Sequence, residues 1–110
     1  MKRLLFAIGL TLLAFPALAN SLGYQQSTSL STSSAINLPS IPAGAQSVII
    51  DVESAGVRFR DDGNDPTSSV GRPISSGQSL CYANDPHGIR IIGQTGSPTI
   101  NVTYYAGTCR

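Results

Sequence analysis

Charged residues make up only 12% of this 110-residue chain, and a single histidine, His87, is its sole imidazole. Lysine occurs once, at Lys2. These shortages exclude whole classes of function. A nucleic-acid binder neutralises phosphates with clustered Lys and Arg, whereas Arg58, Arg60, Arg72, Arg90 and Arg110 are scattered. The same scatter argues against an anionic membrane surface. Serine is abundant, but a serine nucleophile needs a base, and His87 lies inside a Pro-His-Gly turn with no Gly-Xaa-Ser-Xaa-Gly elbow in the chain. Asp61, Asp62, Asn64 and Asp65 offer oxygens, but not at the spacing of an EF-hand loop, so neither a metal nor another cofactor is expected. Glu53 with a nearby aspartate would make a glycosidase-like carboxylate pair. Neighbouring arginines would keep both ionised, and no enzymatic activity is expected.

Only two cysteines are present, Cys81 and Cys109, too far apart for a Cys-Xaa-Xaa-Cys redox motif. Their compartment follows from the amino terminus. Basic Lys2-Arg3, an apolar run from Leu4 to Phe15 and Ala17-Leu18-Ala19 have the three-part form of a secretory leader cleaved after Ala19. The run is short for a membrane span and ends in Pro16, and no cysteine follows for lipid attachment. The expectation is a leader at residues 1–19 and one exported domain at residues 20–110, periplasmic or extracellular and not inserted in the membrane. There Cys81 and Cys109 would form a structural disulfide. Removing Lys2 and Arg3 leaves five arginines against six acids, a net charge of −1.

Nothing beyond residue 19 repeats at helical spacing, and short alternating runs separated by Gly, Pro, Asn and Asp predict an all-β sandwich or small barrel of antiparallel strands. In residues 23–34, Thr28, Leu30 and Thr32 continue to Ile36 and Leu38 on even positions. This predicts one or two strands, possible edge strands, after a loose start. Val48, Ile50 and Val52 alternate with Ile49, Asp51 and Glu53, and after Ser54-Ala55-Gly56 the sequence Val57-Arg58-Phe59-Arg60 alternates again. A β-hairpin with an even loop is expected, setting Asp51 and Glu53 beside Arg58 and Arg60. Gly71-Arg72-Pro73 reads as a turn. Residues 89–92 and 99–105 read as the last two strands, the first largely buried.

Residues 57–78 hold most candidate binding residues: Arg58, Arg60, Asp61, Asp62, Asp65 and Arg72. The arginines either pair with local acids, the preferred reading, or point guanidinium forks at a partner's carboxylate. Tyr82, Tyr104 and Tyr105 offer an aromatic contact patch, with Tyr105 taken as the binding candidate, although strand tyrosines usually pack their rings.

The run GVRFRDDGNDPTSSVGRPISSGQSLCY, followed by IRIIGQTGSPTINVTYY, resembles the small β-rich proteins encoded in tailed-phage structural gene clusters. The likeness rests on a Val-Arg-aromatic-Arg strand, an Asp-Gly turn leading to Pro-Thr (here Asp62-Gly63-Asn64-Asp65-Pro66-Thr67), a Gly-Xaa-Pro step and a closing Val-Xaa-Tyr-Tyr. The resemblance implies a compact β-sandwich with a structural or binding role in a virion, commonly in repeated copies and without a catalytic site. A leader and a disulfide depart from that pattern, because a virion protein assembled in the cytoplasm uses neither. The expected function is therefore an exported, non-enzymatic binding or structural module with a protein partner. A prophage-encoded periplasmic inhibitor or superinfection-exclusion factor is the first alternative, and a small carbohydrate-binding protein or hydrolase the second. A Ser/Thr-rich edge without lysine adds the expectation of a homo-oligomer with residues 23–34 at the contact. Intact mass spectrometry of the exported protein should find Asn20 first and a mass lower by the two hydrogens of one disulfide. A retained leader or free thiols would contradict the export reading.

Overall fold

Apolar side chains at every second position bury one face of a strand only when another surface covers it, and here two sheets cover each other. The computed structural model describes residues 21–109, so the expected leader and the expected start at Asn20 lie outside the described residues. Within them run β1 (Ser21–Ser27), β2 (Ile36–Asn37), β3 (Ser47–Glu53), β4 (Val57–Arg60), β5 (Arg72–Ile74), β6 (Ser79–Tyr82), β7 (Arg90–Gly93) and β8 (Thr99–Tyr105). They form two four-stranded antiparallel sheets, β1-β8-β3-β6 and β2-β7-β4-β5. The all-β sandwich expected from the sequence is the fold.

From the first sheet, Val48, Ile50 and Val52 of β3 and Ile100, Val102 and Tyr104 of β8 point inward. The second sheet answers with Val57 and Phe59 of β4, Ile74 of β5 and Ile91 of β7, and Leu30, Leu38 and Ile89 close the ends. Burying each such side chain contributes about 1.5–3 kcal/mol. Tyr104 is buried in this core, and its hydroxyl donates to the Pro39 carbonyl at 2.5 Å.

The expected β3–β4 hairpin is not formed. β3 pairs with β8 and β6, and β4 pairs with β7 and β5, so the chain changes sheet at residues 54–56. A γ-turn makes the corner: the Ala55 amide donates to the Glu53 carbonyl at 2.8 Å, with Ser54 at its centre at φ 68°. The loop has three residues, and the parity argument fails because it applies to strands sharing one sheet. Every connection but β4–β5 changes sheet.

Three other expectations are corrected. Residues 28–35 are not a strand: Ser29 has φ 55°, and Ser31 Oγ accepts the amides of Ser33 and Ser34 in a local turn. Of the even-numbered residues, Leu30 and Leu38 reach the core, while Thr28, Thr32 and Ile36 stay exposed. The start is not loose, because Ser21 is already paired with Tyr105 in the β1–β8 ladder. The Gly-Arg-Pro step is not a turn but the entry to β5, an edge strand where Pro73 withholds no ladder donor.

Cys81 and Cys109 are bridged, with Cα atoms 5.7 Å apart. Because β3 lies between β8 and β6, the tail after β8 must cross β3 to reach Cys81. Ser47 Oγ holds it on the way by donating to the Gly107 carbonyl at 2.5 Å. Closing this loop by chain entropy contributes about 3.5 kcal/mol.

Burial pushes the Tyr104 hydroxyl up to about 12, while an unfolded tyrosine titrates near 10. The folded state then holds the proton more tightly, so stability is complete below pH 10 and falls as pH rises through 12. Tyr104→Phe should cost about 1 kcal/mol near neutral pH by orphaning the Pro39 carbonyl. It should also flatten the alkaline loss, as read by urea titrations at pH 8 and pH 11. An equally steep loss in the variant would contradict the assignment.

Candidate functional site

The β4–β5 connection is a functional candidate because its polar chemistry is fixed from two directions. Arg58 and Arg60 of β4 share the outer face of the second sheet with Arg90 of β7, since Arg60 and Arg90 are register partners. None of these meets Asp51 or Glu53, which lie on the outer face of the other sheet. The expected cross-strand pairing of those acids with Arg58 and Arg60 is absent, and the β4–β5 loop supplies the partners instead.

Arg58 donates to two loop carbonyls, Ser68 at 3.2 Å and Gly71 at 2.8 Å. Arg60 forms a two-point pair with Asp62, through Nε at 3.1 Å and Nη2 at 2.5 Å. Arg90 donates to Asp65 at 2.7 Å, to Asn37 at 3.0 Å and to the Ala35 carbonyl at 3.1 Å. Hydrogen bonding to Arg60 holds the Asp62 carboxyl below the usual carboxylate range, and Arg90 does the same for Asp65. The loop is thereby folded back over the sheet. Ile92, the register partner of Arg58 on that outer face, is 3% exposed, and Pro66 is buried.

Two local devices shape the loop. Thr67 Oγ1 accepts the Ser69 amide at 3.3 Å and the Val70 amide at 3.0 Å, making a tight turn before the return. Gly71 then has φ 134°, and a Cβ there would lie 3.0 Å from the Phe59 carbonyl and 3.1 Å from Pro66 Cβ, so only glycine lets the two arms close.

Between those arms is an open cavity of about 280 Å³ lined by Phe59, Arg60, Asp61, Asp62, Val70, Gly71 and Arg72. Arg72 places its guanidinium 5.7 Å from the Phe59 ring centre, and among the described residues it makes no hydrogen bond or salt bridge. Val70 is 50% exposed. Asp61 accepts the Tyr82 hydroxyl at 2.6 Å, and Tyr82 packs edge-on against Phe59 at 6.2 Å. Burial, then this bond to Asp61, pushes the Tyr82 hydroxyl up to about 12.

Of the sequence candidates, Arg60, Asp61, Asp62 and Arg72 come together. Arg58 is committed to two loop carbonyls and Asp65 to Arg90, and Tyr105 lies in the other sheet opposite Ser47 and Ser21. Sequence reasoning missed Val70 and Phe59 as parts of this surface. A lone apolar residue amid Thr67-Ser68-Ser69 was the available signal for Val70. His87 sits in a single 3-10 turn, Pro86–Gly88, hydrogen-bonded to Asp85 at 2.8 Å. Among the described residues no group of three or more His, Cys, Asp or Glu side chains is placed to hold a metal ion. No protein-family model, curated protein or solved structure matches this chain.

Arg58→Ala should lower stability by about 2 kcal/mol, because two carbonyls lose a charged donor. Arg60→Ala should change stability far less, its pair with Asp62 being exposed. Denaturant titration of both checks the order, and equal losses would contradict it.

Proposed function

We infer that this chain is an exported, non-enzymatic binding module that seats a partner protein on the surface around Arg72. The observation that carries the reading is the unequal use of the strand arginines. Arg58, Arg60 and Arg90 spend their donors within the chain, whereas Arg72 keeps its planar fork free beside exposed Val70 and the Phe59 ring. A guanidinium held over an aromatic ring and next to apolar surface suits a carboxylate flanked by an apolar side chain, which is how arginine anchors protein interfaces. Asp61 and Asp62 at the rim disfavour a second anion close by, which gives the partner a charge pattern.

The leader-like amino terminus supports export, and the Cys81–Cys109 bridge fits an oxidising compartment. Resemblance to phage structural-cluster proteins supports a binding or structural role over catalysis. The sole histidine, bonded to Asp85 in an exposed turn, agrees with that choice.

The test is capture from cell envelopes with wild type, Arg72→Ala and Val70→Asp. Each substitution should reduce recovery of one client about ten-fold or more while leaving the denaturation midpoint unchanged. Undiminished capture by both variants would contradict the reading.

A further inference from the structure

Four strand edges bound the two sheets, and three are blunted in the ways that keep sheets from joining. β2 offers two residues, β5 offers three including Arg72 and Pro73, and β6 is four residues long with the disulfide at Cys81. β1 is different. It runs for seven residues, SLGYQQS, without charge or proline, and its side away from β8 meets no strand among the described residues.

Burial points the same way independently. No residue of β1 is buried, and Leu22 and Tyr24 are 40% and 58% exposed. Gly23, Gln25 and Ser27 stand beside the inward-facing Tyr104, Val102 and Ile100 yet add no large apolar side chain to the core. Ordering a backbone without burying side chains is unfavourable. A neighbour along the open edge would supply the missing cover and hydrogen bonds.

We propose that a second copy of this chain occupies that edge, with β1 antiparallel to β1 across a two-fold axis at Tyr24. The two four-stranded sheets then continue as one of eight strands. This register is self-complementary: Ser21 faces Ser27, Leu22 faces Gln26, Gly23 faces Gln25, and the two copies of Tyr24 face each other. No like charges meet, and a net charge of one unit, +1 for the full chain and −1 without Lys2 and Arg3, adds little long-range repulsion. Each Tyr24 ring is tethered through its hydroxyl to Asn101, whose side chain also accepts from Gln26 at 2.9 Å and donates to Glu53. Two tethered rings meet at the axis with little freedom left to lose.

A second copy fits better than a foreign strand because the pairing closes after two chains and consumes the one unprotected edge among the described residues. Seven residues a side, against roughly 20–30 in a standard interface, make this a weak and concentration-dependent dimer. The Arg72 surface lies in the other sheet, so a dimer carries two of them and binds a multivalent partner with avidity.

Hydrogen exchange by NMR on the wild-type protein tests the proposal, read beside light scattering over a concentration series. A strand with one neighbour protects every second amide. Residues 22–26 should show that alternation when dilute and protection at consecutive amides when concentrated, with the scattering mass doubling in step. A monomer with alternating protection at all concentrations overturns the proposal, as does a dimer in which the β1 pattern does not change. Tyr24→Lys would set two ammonium groups opposite each other and should weaken dimerisation about ten-fold or more, while the dilute variant keeps the wild-type NMR pattern of the core. Unchanged affinity in that variant overturns the Tyr24-centred register.

Discussion

The corner at Ser54 is the constraint on which the rest of this structure depends. A γ-turn centred on a non-glycine residue at positive φ carries backbone strain, and it persists because Val52 and Val57 are buried on either side of it. By sending β4 into the opposite sheet, the corner turns two apolar stripes toward each other across the sandwich. It also parts the charges. Asp51 and Glu53 stay on one outer face, where they bond Ser79 and Asn101, and the strand arginines go to the other.

With Asp51 and Glu53 on the opposite outer face, Arg58, Arg60 and Arg90 need other partners, since a half-buried guanidinium leaves its donors unpaired only at a cost. The connection between β4 and β5 meets that need with Asp62, Asp65 and the carbonyls of Ser68 and Gly71. A segment rich in turn-forming residues is thereby fixed against the second sheet. Its return arm leaves Arg72 and Val70 facing outward. The proposed binding surface is thus a by-product of how the chain satisfies its other arginines.

Period-2 alternation makes the inward stripes of β3, β4 and β8 legible in the order of residues alone, and two cysteines allow one pairing. Alternation is the same for a hairpin and for an arch between two sheets, however, and Ser-Ala-Gly does not announce a γ-turn, so the hairpin expectation fails and takes the Asp51 and Glu53 pairing with it. In the Ser/Thr-rich segment, even spacing from Thr28 to Leu38 resembles a strand although only Leu30 and Leu38 bury a side chain. The edge strand expected in residues 23–34 is β1, but it lies earlier, at Ser21–Ser27, because a strand that contributes nothing to the core has no apolar pattern to fix its bounds. Part of the site is legible as chemistry, in Arg60, Asp61, Asp62 and Arg72. Which arginine is left free is not, because that depends on the loop crossing a sheet that the local sequence does not describe.

Cross-strand backbone NOEs test the sheet change most directly. The structure requires contacts between Ile50 and Val102, between Ile50 and Leu80, and between Phe59 and Ile91, with no ladder joining β3 to β4. Sequential cross-strand contacts linking Val52 to Val57 and Ile50 to Phe59 would restore the hairpin and contradict the account of both outer faces.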